Sequence, residues 1–161
     1  MATTLEQATW LLNEFSHLAG QHWQYVYGGG HLVAPVPGAT FPPTKGKDPE
    51  GTNPKGYDCS AWQSAGLWHA GMLTSGAITN SSLAPGTREL AGWGNSGKGK
   101  YYTLWVRNSG GVEHCFGELT LPNQHRIWTA GEHTGSICGF FDYSQWNFQA
   151  DGYLPRHYPG G

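Results

Sequence analysis

The sequence predicts an α+β fold, and three observations carry that expectation. Helical periodicity comes first, a second helix-like stretch follows from about residue 59, and beyond residue 100 the chain turns to runs of β-branched and aromatic residues. Helices followed by a block of strands joined through short turns is the order of an α+β domain with an antiparallel sheet. With 161 residues there is chain enough for one core and too little for two, so residues 1–161 read as a single domain.

The first helix is expected over residues 4–19. Leu5, Ala8, Leu12, Phe15 and Ala19 recur at three- and four-residue steps, with Leu11 and Leu18 widening the stripe. Thr4 and Gln7 have capping-box spacing, and Gly20 supplies a stop. Residues 28–55 carry Pro35, Pro37, Pro42, Pro43, Pro49 and Pro54 and no periodicity. They read as a long surface loop, either a wall of a cleft or a tolerated insertion. The second helix should run from about Cys59 to Met72, with Ala61, Ala65, Trp68 and Met72 on one face and Trp62 beside them. Residues 74–85 read as loop and 87–93 as a short helical turn. Strands are expected over 101–107, 112–121, 126–130, 136–143 and 146–149, with Leu121-Pro-Asn-Gln124 as a hairpin turn. The sheet should hold about five or six strands in all.

Composition narrows the class of function. Only 12% of residues are charged, 14% are aromatic and 25 are Gly, the profile of a loop-rich globular domain. A formal charge of −2 gives no whole-molecule attraction to nucleic acid or to an anionic membrane. No apolar stretch approaches the roughly 20 residues that cross a bilayer. The start, Met-Ala-Thr-Thr-Leu-Glu, lacks the basic and apolar segments of a signal peptide. The expectation is a protein made in the cytoplasm that acts there or is delivered by another route.

The three cysteines, Cys59, Cys115 and Cys138, are odd in number and lack a repeated short spacing, which argues against a disulfide scaffold or a structural zinc site. Buried free thiols are the expectation, with Cys115 and Cys138 able to pair only if their strands are neighbours. Eight histidines include no His-Glu-x-x-His pattern, and Gly28-Gly-Gly30 lacks the Lys of a phosphate loop. No metal or cofactor is therefore expected. The 11 acidic residues form no recognisable pair for glycoside hydrolysis. Most of the eight tryptophans belong to the core on general grounds, although some would suit stacking on sugars.

Gly56-Tyr-Asp-Cys-Ser60 sets Cys59 at the expected start of a helix. Backbone N–H groups and the helix dipole there favour a thiolate, the nucleophilic form of cysteine. The same N–H groups are candidate donors to the oxyanion formed on attack at an amide carbonyl. A base must come from elsewhere, and His114 is the best placed of the histidines. It lies in an expected strand, Gly111-Val-Glu-His-Cys-Phe-Gly117, after a Gly-rich lead-in.

Two segments, Gln24-Tyr-Val-Tyr-Gly-Gly29 and Gly56-Tyr-Asp-Cys-Ser-Ala61, resemble the NlpC-type cell-wall peptidases of the papain-like superfamily. That family carries an aromatic "YVWGG", then "DCSG" at the head of a helix, then a strand His, then a polar residue on the next strand. The order holds from Tyr25 to about Ala130, and Pro85 to Glu89 loosely resembles the family's "PRTS" stretch. The resemblance implies a papain-like domain with Cys59 as nucleophile, His114 as base and Thr129 as the polar residue that orients the imidazole. It further implies that Tyr25 turns its hydroxyl to the nucleophile and that Asp58 and Ser60 shape the pocket for a substrate amino group. Three features depart from the pattern. Ala61 replaces a Gly, Tyr101-Tyr-Thr-Leu-Trp-Val-Arg107 replaces the usual "GDLVFF" strand, and Thr129 stands where His, Asn, Gln or an acid is usual. Glu132 and His133 stay open as alternatives to Thr129, while His125 sits beside the turn.

By that resemblance the expected activity is cysteine peptidase action on a bacterial peptidoglycan stem or cross-link peptide. The partner would be the wall, reached through a holin, a virion or a secretion system, as for a phage lysin or tail-associated enzyme. An antibacterial amidase toxin, an acyltransferase using the same Cys/His pair, and an inactive wall-binding or virion structural domain are the alternatives.

Overall fold

Two helices precede five strands in the computed structural model, which describes residues 5–20, 22, 24–25, 57–69, 93–94, 96–109, 112–130, 138–142 and 152–157. Helix α1 is Leu5–Ala19 and α2 is Cys59–His69. The strands are β1 (Tyr102–Ser109), β2 (Val112–Leu121), β3 (Gln124–Ala130), β4 (Cys138–Asp142) and β5 (Leu154–His157). All neighbouring strands run antiparallel in the order β4-β3-β2-β1-β5. Helices and an antiparallel sheet in that chain order make the architecture α+β. Among the described residues no helix is long and apolar enough to cross a membrane.

The hairpins follow from local chemistry. β2 and β3 turn through Pro122 and Asn123, with Leu121 and Gln124 as the last opposed pair, as turn-forming residues between two β-rich runs dictate. β5 was not legible in advance. It is only four residues long and contains Pro155, which an edge strand tolerates; among the described residues its outer side carries only the isolated Gly94–His157 bridge. The expected strand over 146–149 lies outside the described residues. So do the loop over 28–55, the Thr4 end of the first helix, and residues 70–92.

Helix α1 departs from its expected stripe at Leu5, and α2 is buried beyond its expected face. In α1, which lies against α2, β2 and β4, the buried stripe runs through Ala8 and Leu11, while Leu5 is 43% exposed. Helix α2 has no solvent face among its described side chains: residues 59–64, 66 and 67 are all buried. It is wedged between α1 and the β2–β3 region of the sheet, which is why polar Ser60, Gln63 and Ser64 are interior and why its sequence shows no clean stripe.

Alternation along the strands sends opposed residues to the same face. One face carries Tyr102, Cys115, Gly117 and Trp128 toward α2. Trp62 stacks on Trp128 with ring centroids 4.2 Å apart. Gln63 Nε2 donates to the Trp128 carbonyl at 3.0 Å, and the Tyr102 hydroxyl donates to Gln63 Oε1 at 3.2 Å. The other face buries Trp105, Phe116 and Ile127 with Tyr153. Beside that cluster Glu118 accepts hydrogen bonds from Trp105 Nε1 (2.7 Å), Lys98 Nζ (2.9 Å) and His125 Nε2 (2.8 Å). Burial pushes the Glu118 carboxyl up, but these three donors outweigh it and hold it below its usual range.

Cys115 and Cys138 cannot pair. Their strands are separated by β3, and Cys138 lies opposite Ala130 instead. Two strand spacings are about 10 Å, beyond the ~7 Å a disulfide spans, and Cys115 is a free, buried thiol.

Candidate active site

The start of α2 is fixed by Asp58. Its Oδ1 accepts the Ala61 N–H at 2.9 Å and the Ser60 hydroxyl at 3.0 Å, and its carbonyl accepts the Trp62 N–H at 3.0 Å. Asp58 is thus the N-cap, a position its short acceptor side chain favours, and Cys59 is the first helical residue. Ahead of it, Tyr57 is tied to the Gln24–Tyr25 segment. The Tyr57 N–H donates to the Gln24 carbonyl at 3.1 Å, and Tyr25 and Tyr57 form a parallel bridge. The two segments that carry the family resemblance therefore meet two residues before Cys59.

His114 comes from β2. On its own face its ring lies 6.4 Å from the rings of both Phe116 and Tyr153. Its Nε2 stands 3.1 Å from Thr129 Oγ1 on β3, a diagonal cross-strand pair. If the β2–β3 register is continued, Ala130 at the end of β3 falls level with Cys115. His114 therefore stands one step past the last residue of β3 in this register.

Cys59 and His114 are each 7% exposed. The Cys59 sulfur is in hydrogen-bond contact with the Cys115 thiol and with the His114 ring. With Nε2 turned to Thr129, the nitrogen left for the sulfur is Nδ1. The Cys59 thiol is drawn down from 9.0 to about 5, most strongly by the Cys115 hydrogen bond. Burial opposes that shift, and the hydrogen bond and charge of His114 reinforce it. Cys115 moves the other way: burial first, then its hydrogen bond to Cys59 and the nearby charges of Cys59 and Asp58, push its thiol well above the usual value. The pair is accordingly one thiolate and one thiol.

Comparison of the chain with protein-family models, with curated proteins and with solved structures finds no match. What the site can do rests on its own residues.

The structure brings Cys59, His114 and Thr129 into one connected line. Asp58 and Ser60 stand at the helix start bonded to each other, and Tyr25 stands half-buried beside Tyr57. His125 is engaged with Glu118. Glu132 and His133 lie outside the described residues. Cys115 was missed by sequence reasoning, because strand alternation sends it to the face opposite His114. Nothing in the sequence signals that both residues reach one sulfur. Among the described residues no group of three His, Cys, Asp or Glu side chains is placed to hold a metal. A stabilised thiolate beside an imidazole bonded to a hydroxyl is an arrangement chemically able to attack a carbonyl carbon.

Proposed function

We propose that the chain is a papain-like cysteine peptidase that hydrolyses a stem or cross-link peptide of bacterial peptidoglycan. The observation that carries this reading is the connected line Cys59–His114–Thr129, in which a thiol drawn down to about 5 meets a ring whose other nitrogen is anchored 3.1 Å away. The nucleophile at a helix N-terminus, the base on a following strand and the polar acceptor on the next strand are the parts in the order the NlpC-type resemblance requires.

Cys59 thiolate attacks the peptide carbonyl and forms a tetrahedral intermediate, with first-turn N–H groups of α2 as its oxyanion donors. His114 gives its Nδ1 proton to the leaving amine as the acyl-enzyme forms. Water, deprotonated by the same nitrogen, then attacks the thioester and releases the acid, and the returning proton restores the pair. Thr129 Oγ1 accepts from Nε2–H throughout. Unlike a carboxylate it offers no full charge to the imidazolium, so orientation is its whole contribution. By the same resemblance Tyr25, Asp58 and Ser60 surround the incoming substrate, and the enzyme reaches the wall with a virion, a holin or a secretion system. An ionised cysteine favours catalysis over an inactive wall-binding domain, because a burial site kept only for packing would retain a neutral thiol.

Purified sacculi of several wall chemotypes, digested with wild type and with Cys59→Ala, test the reading by mass spectrometry. Stem-peptide fragments released by wild type alone are expected, and their ends name the bond cut. Intact sacculi in every case would overturn it, and transfer to an added amine in preference to water would make the chain an acyltransferase.

A further inference from the structure

We propose that Cys115 is a positioning residue for the nucleophile: its buried S–H donates to the Cys59 sulfur and holds it against the His114 ring. The inference deepens the peptidase reading and rests on Cys59 being its reactive thiol.

The packing of α2 on β2 carries it. Gly117 faces α2 so closely that a Cβ there would come within 2.8 Å of Gln63 Oε1. One helical turn back from Gln63 is Cys59, and two residues back along β2 from Gly117 is Cys115. A turn of helix advances about 5.4 Å and two strand residues about 6.8 Å, so contacts at Gln63–Gly117 and at Cys59–Cys115 fit one packing of α2 along β2. The two sulfurs are in hydrogen-bond contact there. Cys115 is fully buried, so no solvent competes for its proton, and the Cys59 thiolate is the acceptor beside it. The charged and titratable groups around this pair are Asp58 at the helix cap, His114 beside Cys115, Tyr102 on the α2-facing side of β1, and Glu113 and Arg107 near His114 on β2 and β1. Only Cys115 and His114 bond the sulfur directly among the groups that lower its pKa. The base and the donor are adjacent residues of one strand, and β2 therefore grips the nucleophile from two sides.

The test is the pH dependence of Cys59 alkylation by iodoacetamide, read on the Cys59 peptide by mass spectrometry in wild type, Cys115→Ala, Cys115→Val and Cys115→Ser. Wild type should reach half its maximal rate near pH 5. Both apolar variants should move that midpoint up by about one to two pH units, the size of a lost hydrogen bond to a charged group. Cys115→Ser, which keeps a donor, should recover most of the shift. Val retains the bulk of the thiol, so a packing role alone would leave its midpoint at the wild-type value, and that result would overturn the proposal. A serine variant displaced as far as Cys115→Val would overturn it equally, and this comparison stands even where Cys115→Ala does not fold. No substrate enters the measurement, so a protein that leaves sacculi intact yet shows these shifts loses the peptidase reading and keeps this one.

Discussion

Cys59 carries a charge across the whole neutral range, since its thiol is lowered from 9.0 to about 5 in the fold. A depressed acid stabilises the folded chain through its ionised form. That contribution is complete above the unfolded value and is lost as pH falls through the folded one. The difference in thermal stability between wild type and Cys59→Ala should therefore grow in favour of wild type from about pH 5 to about pH 9, and stay flat below pH 5. A difference independent of pH over that window would show that Cys59 is a neutral thiol. At this scale the proximity of Cys59 and His114 was legible because Asp-Cys-Ser at a helix start and a strand His each have a chemical reason for their place. Thr129 was reachable only by counting along a resemblance, and it is nonetheless the residue bonded to His114. Cys115 was not legible, since its importance depends on how closely a helix presses on a strand.

Elements set that closeness, and Gly117 is where it is decided. A Cβ at Gly117 would stand 2.7 Å from the Tyr102 ring and 2.8 Å from Gln63 Oε1, distances real side chains do not hold. Gly117→Ala should destabilise the protein by about 1–3 kcal/mol in denaturant titration and slow Cys59 alkylation at neutral pH, because α2 must lift from β2. Unchanged stability would mean that Gln63 swings away freely and that its bonds to Trp128 and Tyr102 contribute little. The strand β2 matched its expected bounds because Val112–Leu121 ends at a Pro-Asn turn that any reading detects. Ala61 and Trp62 of the expected α2 face are buried, but so are the polar residues beside them, for a physical reason. A helix enclosed on all described sides has no polar face to reveal its orientation, and Ser60, Gln63 and Ser64 satisfy their polar groups internally, through Asp58, Trp128, Tyr102 and the Ser60 carbonyl.

For the molecule as a whole, the sheet is sandwiched. In β1 residues 102–106 and in β2 residues 114–119 are buried without a break, so side chains on both faces are covered, unlike many antiparallel sheets with one wet face. The cover on the His114 face includes Tyr153, whose ring stacks edge-on against Phe116 at 4.9 Å and receives the Arg107 guanidinium at 4.7 Å. Tyr153 leads into β5, which pairs with β1 from Thr103↔His157 to Val106↔Leu154. Deleting residues 152–161 should uncover the outer edge of β1 along with the Phe116 and His114 rings, and a bare edge invites pairing with another chain. Size-exclusion chromatography should show soluble aggregates and calorimetry a lowered midpoint. A monomer with an unchanged midpoint would mean that β5 is dispensable. The α+β class was legible at this scale from the order of elements alone, whereas the closing strand was hidden by its brevity and its proline.

The order β4-β3-β2-β1-β5 also sets a timetable. As the chain leaves the ribosome, β1 to β4 emerge in turn and each pairs with the strand just made. The partner of β1 on its other side is translated after all four of them. Cys59, His114 and Thr129 all emerge before β5, so their connected line can assemble on a nascent sheet whose opposite edge still waits for β5.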